Sequence, residues 1–268
     1  MAAHMTDILR RRRGISYGAP IESGQCMRAL KVTLRASKPI TLPLAYNELL
    51  QGLIYNCWRE SFGGVHDSIS SEGKQFRHFT FGPLIGKAHP DGNARTIRFY
   101  DFMSFELRSP HEVLLDELAL RLCSKDAIAI GAYDNLKLVN LQCCDRLFFP
   151  RQVVLRAKSP IVALKTLSDG HTCPYSPNDS EWLLFMQNNL ASKARDLAVE
   201  CEPALAIIPR VETLRKRVTK FKGTYVTGWT GDFFMAADPT AISLLYYDGL
   251  GVKNPQGFGM FDILDATP

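Results

Sequence analysis

The first half of the chain arranges its hydrophobic and polar positions with two different periods. Apolar and polar residues alternate from Arg28 to Ala36, which predicts a β-strand with one buried face. From Leu49 to Trp58 apolar residues recur every three or four positions, the spacing of one buried helix face. We predict that this helix opens at Thr41-Leu-Pro43, with the proline in its first turn, and ends at Gly63-Gly64.

A hairpin, a second helix and a further strand follow in the same half. The turn residues His89–Asn93 separate two predicted strands, Arg77–Ile85 and Ala94–Leu107. A capping box at Ser109–Glu112 predicts a helix that runs to about Leu122, and strand residues resume at Lys137. The order strand, helix, strand, strand, helix, strand is that of a ferredoxin-like domain.

The second half repeats this order more loosely. Its predicted elements are a strand at Gln152–Ala163, a helix opened by Ser176–Asp179, strands at Ala204–Ile208 and within Arg215–Met235, a short helix capped by Asp238-Pro239, and a last strand at Met260–Leu264. We therefore predict an α+β protein with two tandem ferredoxin-like (RRM-like) domains and antiparallel sheets, over residues 27–145 and 146–268. In RNA-recognition modules the open face of such a sheet receives single-stranded RNA.

Composition and charge exclude several classes of protein. The 268 residues are 46% hydrophobic, and no apolar run approaches the ~20 residues that a membrane helix needs, so no membrane association is predicted. The net charge of +5 permits a polyanionic partner without requiring one. Seven cysteines without paired spacing indicate a reducing, cytoplasmic location. The sequence predicts neither a metal site nor a cofactor.

Residues 1–26 stand apart from the two predicted domains. They contain the run Arg10–Arg13 and lack the apolar core of a signal peptide. We predict that residues 1–26 form a disordered leader. Residues 27–145, which follow it, form the domain that carries the predicted catalytic residues. The alternative, a basic arm that contacts nucleic acid, remains open.

The most specific feature is a glycine-rich segment near the carboxyl end. A predicted helix precedes it and a strand follows it, which is the reverse of the order in dinucleotide-binding and P-loop folds. Paired glycines allow the backbone to approach a phosphate, and successive N–H groups can form an anion nest. The alternative is that the glycines permit a helix end and close packing. The predicted RNA-binding residues of this segment are Gly249, Gly251, Lys253, Asn254, Gly257 and Gly259.

With these residues the chain resembles the CRISPR repeat-processing endoribonucleases of the RAMP superfamily. Gly249–Gly259 matches the G-x-G-x5-G-x-G signature of that family, Leu50–Asn56 resembles its first helix, and Lys74–Leu84 resembles the strand that follows. The resemblance extends over Met27–Leu264. It implies a metal-independent enzyme that binds CRISPR repeat RNA and cuts precursor crRNA by attack of a 2′-hydroxyl. The alternative is a non-catalytic RAMP subunit of an effector complex, and the resemblance leaves open whether the protein forms a homodimer.

The resemblance also assigns catalytic residues. Such a cleavage needs a base, an acid and a cation that supports charge on the phosphate. His66 is the predicted general acid or base, Tyr55 orients the 2′-hydroxyl, and either Arg77 or Lys74 stabilises the phosphate. A core role for Tyr55 remains an alternative, and His78 is the reserve histidine.

A basic segment supplies a further predicted RNA contact. Six basic residues and one acidic residue lie in the segment from Arg210 to Lys222. Val218 and Phe221 interleave with them, and Tyr225 and Trp229 follow. A basic strand with aromatics is typical of a track for a phosphate backbone, whereas the alternative is a solvated sheet edge. The residues predicted to bind RNA here are Arg215, Arg217, Lys220 and Lys222.

Overall fold

The computed structural model describes residues 28–62, 77–144, 148–166, 172–202 and 204–267. Backbone contacts divide the chain into two compact units, Met1–Phe76 with Leu84–Asp145, and Arg77–Pro83 with Arg146–Pro268. The short segment Arg77–Pro83 thus groups with the second unit, although it lies within the first half of the chain. The candidate functional residues fall in both units.

The described residues form the mixed α+β fold with antiparallel sheets that the sequence predicts. The strands are β1 (Ala29–Arg35), β2 (Ile40–Pro43), β3 (Thr80–Phe81), β4 (Ile85–Asp91), β5 (Thr96–Arg108), β6 (Ile128–Ile130), β7 (Tyr133–Cys143), β8 (Gln152–Ala157), β9 (Leu164–Thr166), β10 (Thr172–Pro174), β11 (Leu205–Pro209), β12 (Arg215–Phe221), β13 (Thr224–Thr230), β14 (Asp232–Ala237) and β15 (Phe261–Thr267). The helices are α1 (Asn47–Phe62), α2 (Glu112–Ser124), α3 (Ser180–Asp196) and α4 (Pro239–Asp248).

The first unit is a sheet with two helices packed against it. β1 lies between β5 and β7, and β4 pairs with β5. The apolar stripe of α1, including Leu50, Ile54 and Trp58, is buried, and the indole N–H of Trp58 donates to the carbonyl of Leu114 on α2 at 2.7 Å. The order of the strands in the sheet and the places of the two helices along the chain confirm the predicted ferredoxin-like arrangement of this unit.

The second unit has the same arrangement with two additional hairpins. Its sheet order is β11-β14-β8-β15, with α3 between β8 and β11 and α4 between β14 and β15. The hairpin β9–β10 follows β8, and the hairpin β12–β13 is inserted between β11 and β14. Trp182 of α3 stacks on Phe233 of β14, with ring centroids 6.0 Å apart, in the core.

Two predicted helix starts are wrong. Thr41–Pro43 belongs to β2, whose alternating burial and edge position suit a strand and tolerate a proline, and α1 begins at Asn47. The hydroxyl of Ser109 accepts the His111 N–H at 3.0 Å, so it closes a turn before α2, which begins at Glu112. By contrast, Asp238 caps α4 as predicted, since its carboxylate accepts the Thr240 N–H at 2.8 Å.

For the hairpin of the first unit, the predicted turn is confirmed, but the predicted start of the first strand is wrong. The carboxylate of Asp91 accepts the N–H groups of Asn93 and Ala94, as expected of an Asx turn. The hairpin strand begins at Ile85, whereas the prediction began it at Arg77. The segment Arg77–Pro83, which comes directly before Leu84, contains only the short strand β3 and belongs to the second unit.

Candidate functional site

The loop between α4 and β15, residues 249–259, is called the glycine loop here. Its four paired glycines all have positive φ, from +71° at Gly251 to +89° at Gly249. Side chains rarely adopt this conformation, so the backbone path itself requires glycine at these positions. Lys253 also adopts the left-handed conformation, at φ +64°.

The glycine loop is packed tightly against the protein. A Cβ on Gly251 would overlap the carbonyl oxygen of Val162, and a Cβ on Gly259 would overlap that of Leu250. A Cβ on Gly249 would lie 2.5 Å from the amide nitrogen of Asn254. Close approach of the backbone, in addition to positive φ, therefore excludes larger residues from these positions.

Most donors of the glycine loop are used inside the protein. The N–H of Gly259 donates to the Pro160 carbonyl and that of Val252 to the Val162 carbonyl, each at 2.9 Å. The N–H groups of Leu250 and Gly257 donate to Gly259 and Asn254. These amides are not the outward-pointing nest that the sequence suggested, because their hydrogen bonds fix the shape of the loop instead.

The side chain of Asn254 makes hydrogen bonds that hold the two ends of the glycine loop together. Its side chain is 4% exposed, and its amide donates to the carbonyls of Leu250 and Phe258, each at 3.1 Å. Its side-chain oxygen accepts from the ammonium of Lys193 at 2.8 Å. The side chain of Asn254 is thus used within the protein, and its RNA contact stays a prediction. Lys253, which is half-buried, carries the charge of the loop.

A buried lysine holds the base of the loop. Lys193 of α3 donates to the carbonyl of Gly249 at 2.6 Å and lies 3.1 Å from a carboxylate oxygen of Asp248, the last residue of α4. The ring Nδ1 of His78 lies 3.2 Å from the same carboxylate oxygen. Three separate chain segments thus meet at one buried cluster of Lys193, Asp248 and His78, called the buried cluster below.

Burial and charge act in opposite directions on this cluster. Burial lowers the pKa of Lys193, although the adjacent Asp248 carboxylate opposes the shift. Burial alone would raise the pKa of Asp248, but the charge of Lys193 and the hydrogen bond from His78 hold it below its ordinary value. Asp248 is therefore a carboxylate, and its negative charge is stabilised by both neighbours.

The sequence contained a signal for this cluster that the prediction missed. Trp182, Met186 and Leu190 mark the buried face of α3 at intervals of four, and Lys193 continues the same stripe. A lysine in a buried stripe needs a partner within the protein. The partner, Asp248, is 55 residues away along the chain, so spacing alone does not reveal it.

The segment Arg77–Pro83 supports the glycine loop from the other side. The hydroxyl of Thr80 donates to the carbonyl of Phe258 at 3.0 Å. His78 is 8% exposed and contacts Asp248, whereas the side chain of Arg77 is exposed. The reserve histidine is therefore held in the buried cluster, and Arg77 is the residue of this segment that faces solvent.

The other predicted catalytic residues divide between described and undescribed parts of the chain. Tyr55 lies on α1 in the first unit, is half-buried, and makes an edge contact with the Trp58 ring at 5.7 Å between centroids. His66 and Lys74 lie outside the described residues. The catalytic roles of these residues and of Arg77 stay predictions.

The hairpin β12–β13, called the basic hairpin here, has one buried face and one exposed face. Phe221 and Val226 pack with Val162 and with Phe258 of the glycine loop. The other face presents Lys216, Lys220, Val218 and Tyr225, the last two at 59% and 65% exposure. Of the aromatic residues in the segment, Tyr225 is thus the one available for stacking, since Phe221 and Trp229 are buried.

The arginines of the basic hairpin differ in their surroundings. Arg215 is exposed but donates to the carbonyls of Glu212 and Leu214. Arg217 and Lys220 are exposed along β12, and Lys222 lies in the turn with its ammonium 5.6 Å from the Phe221 ring centroid. The structure therefore brings Arg217, Lys220 and Lys222 to the surface of one hairpin that packs on the glycine loop.

Among the described residues, no three His, Cys, Asp or Glu side chains are grouped as metal ligands. None of the described helices is both long and apolar enough to span a membrane.

Solved structures share this fold. A structure described as "An RAMP protein binding different RNA substrates" is 18% identical, with coverage of 89% of this chain and 100% of that chain at a TM-score of 0.76. One from Pyrococcus furiosus, described as a Cas6-related gene, is 16% identical, with 90% and 100% coverage and a TM-score of 0.75. A Cas6 product complex is 17% identical, with 89% and 100% coverage and a TM-score of 0.61.

The tandem ferredoxin-like fold of this chain is thus the fold of these RAMP and Cas6 structures. No curated protein matches the chain by sequence. Residues 145–263 match the family model described as CRISPR associated protein Cas6, C-terminal. This match covers a little under half of the chain, and over these residues the sequence resembles the Cas6 family.

Proposed function

We propose that the protein binds CRISPR repeat RNA and cuts precursor crRNA within each repeat, without a metal ion. The observation that carries this proposal is the Cas6 C-terminal match over residues 145–263, which includes the whole glycine loop. A similar fold occurs in a structure described as a Cas6 product complex, and another in a RAMP protein described as binding different RNA substrates.

The proposed chemistry is an internal transesterification. The 2′-hydroxyl upstream of the cut attacks the phosphorus, so that a 2′-oxygen–phosphorus bond forms while the bond to the 5′-oxygen breaks. A base removes the 2′-hydroxyl proton and an acid protonates the departing 5′-oxygen. The products are a 2′,3′-cyclic phosphate and a 5′-hydroxyl.

The residues proposed for these roles come from the resemblance to the family. His66 serves as general acid or base, because an imidazole titrates near neutral pH. Tyr55 orients the 2′-hydroxyl, and Arg77 or Lys74 stabilises the charge on the phosphate. The exposure of Arg77 supports its part in this assignment, since a buried guanidinium would not reach a backbone phosphate.

RNA binding is assigned to two adjoining surfaces. The glycine loop offers Lys253, held in a fixed conformation by the surrounding hydrogen bonds. The basic hairpin offers Arg217, Lys220 and Lys222 as contacts for successive phosphates. The packing of Phe221 and Val226 on Phe258 fixes these two surfaces relative to each other within the second unit.

A cleavage assay on repeat RNA in EDTA tests the proposal. Wild type is expected to cut, and His66→Ala is expected to cut at least about 100-fold more slowly, the usual loss when a general acid or base is removed. His89→Ala is the matched control, because His89 lies exposed in the β4–β5 hairpin. Full activity of His66→Ala would overturn the site assignment. Tight repeat binding without cutting by wild type would instead favour a non-catalytic RAMP subunit.

A further inference from the structure

A bulge interrupts β5 in the first unit. Gly86 pairs with Met103 and the next residue, Lys87, pairs with Tyr100, so β5 has two additional residues, Asp101 and Phe102, at this point. Asp101 has φ +63°, which is unusual for a residue other than glycine. Bulges reorient side chains and are common beside binding sites, and a strained residue suggests a function for the site.

The bulge places an aromatic ring in solvent. Phe99 and Met103, on either side of the bulge, are each 1% exposed, whereas Phe102 between them is 42% exposed. An exposed phenylalanine on a central sheet strand is not needed for the core. Aromatic rings in this position of a ferredoxin-like sheet form the stacking platform of RNA-recognition modules.

One cation lies over this ring, and a second follows it in the same row. Arg35 of β1 pairs with Phe102 in register, and its guanidinium carbon lies 5.2 Å from the ring centroid. The same guanidinium bonds the Asp101 carboxylate at 2.8 Å. On the other side of Arg35, Lys137 of β7 occupies the paired position. Three neighbouring strands therefore present a row of Phe102, Arg35 and Lys137.

A cavity of about 590 Å³ lies at the Arg35 and Lys137 end of this row, next to Phe102, which does not itself line it. Arg35, Lys38 and Lys137 line it together with one acidic residue, Asp101. Three cationic groups against one carboxylate leave an excess of two positive charges. Asp101 is paired with Arg35, and the Lys137 ammonium donates to the Asp126 carbonyl at 2.6 Å, so an additional anion would be attracted chiefly to Lys38 and Lys137.

We propose that this row is a binding site for one unpaired nucleotide of the RNA. The base stacks on Phe102 and the Arg35 guanidinium, and its phosphate contacts Lys38 and Lys137. Arginine planes and aromatic rings are the groups that receive splayed bases in single-stranded RNA, and lysines supply the phosphate contact. The inference rests on the proposed function in one respect, that RNA is the ligand.

The test is the affinity of the full chain for a short unstructured single-stranded RNA, measured by fluorescence anisotropy. The RNA carries 2′-O-methyl groups in place of the 2′-hydroxyls, so that the proposed cleavage cannot occur. Phe102→Ala is expected to weaken binding about tenfold, near the lower end of what one lost stacking ring costs. Phe102→Trp is expected to restore wild-type affinity, whereas Phe102→Leu, which keeps an apolar side chain without a ring, is not. Lys137→Gln is expected to reduce the salt dependence by about 0.7 in logarithmic slope, the value for one phosphate of a single strand.

Phe234 provides the matched control. It lies on β14 in the second unit with a similar exposure of 39%, and it pairs with Ile208 and Val154 rather than with cations. Phe234→Ala is therefore expected to bind RNA like wild type. Equal affinity of wild type, Phe102→Ala and Phe102→Leu would overturn the proposal. Because binding is measured without cutting, a chain that never cleaves repeat RNA would leave this result interpretable.

Discussion

The glycine loop and the basic hairpin were both predicted to bind RNA, yet they differ in how much of each is exposed to solvent. The glycines of the loop are buried, and the loop bonds mainly to its own protein. The basic hairpin exposes Arg217, Lys220 and Tyr225. A pattern of glycines in the sequence indicates the backbone path that a loop must take. A run of basic residues on a strand indicates instead what the surface of that strand can bind.

The two regions should therefore respond differently to substitution. Changes at the glycine loop should lower stability first and affinity as a consequence. Changes on the exposed face of the basic hairpin should lower RNA affinity while stability stays constant. Measuring the free energy of unfolding and the RNA affinity of the same variants would test this contrast.

The largest expected effect is that of Lys193→Met, beneath the loop. Removing the ammonium leaves the Asp248 carboxylate buried without its charge partner, a change that costs about 3–5 kcal/mol. Urea unfolding followed by circular dichroism measures the loss. Lys165→Met, at an exposed position on β9, should be close to neutral. Recovery of stability in the double variant Lys193→Met/Asp248→Asn is expected, and its absence would argue against an electrostatic origin.

The next largest effect is expected of Gly251→Ala, which should lower the free energy of unfolding by about 3 kcal/mol. The new Cβ overlaps the Val162 carbonyl, and residue 251 must keep a left-handed backbone conformation. Gly223→Ala is the matched control. Gly223 has φ +82° but nothing within 4 Å of its Cβ position, so only the conformational cost of about 1–2 kcal/mol applies. Equal losses in thermal or urea unfolding would show that packing of the loop matters less than its backbone conformation.

Substitution on the basic hairpin should change affinity alone. Arg217→Gln with Lys220→Gln is expected to weaken repeat-RNA binding about tenfold and to reduce the salt slope by roughly 0.7 per lost phosphate contact. Unfolding should be unchanged, since both side chains are exposed. Arg195→Gln, an exposed charge on α3, is the control for net charge. An unchanged salt slope in the double variant would remove the basic hairpin from the RNA interface.

The smallest effect expected is a dependence of stability on acid. The folded-state pKa of Asp248 is lowered, so its contribution is complete above the ordinary Asp pKa and is lost as the pH falls toward the lowered value. The neutral amide of the variant Asp248→Asn imitates the protonated acid. Wild type should therefore lose up to about 1.4 kcal/mol per pH unit more than Asp248→Asn below about pH 4. Parallel pH profiles in urea unfolding would contradict this.

Local signals in the sequence predicted local structure well. The helix cap at Asp238 and the Asx turn at Asp91 were correct because each depends on residues two or three positions away. The start of α1 was wrong, since Pro43 is equally compatible with an edge strand. The alternation of Lys31, Thr33 and Arg35 with buried residues predicted the face of β1 correctly.

The buried cluster could not be predicted in the same way. His78 and Asp248 are 170 residues apart, and each looks ordinary in its own segment. The grouping of Arg77–Pro83 with the second unit has no local signal either, because the segment continues directly into β4. Sequence reasoning found the candidate loop, but the side chains that hold it become visible only when distant segments are brought together.

The membership of Arg77–Pro83 in the second unit has a consequence for biosynthesis. On the ribosome this segment emerges well before Asp248 and Phe258, its later partners, have been translated. We therefore expect the carboxyl-terminal half to complete its folding only near the end of synthesis. A truncated gene beginning at residue 146 should yield a product that lacks the Thr80 hydroxyl and the His78 ring, and supplying residues 77–83 in trans should improve its yield in soluble form.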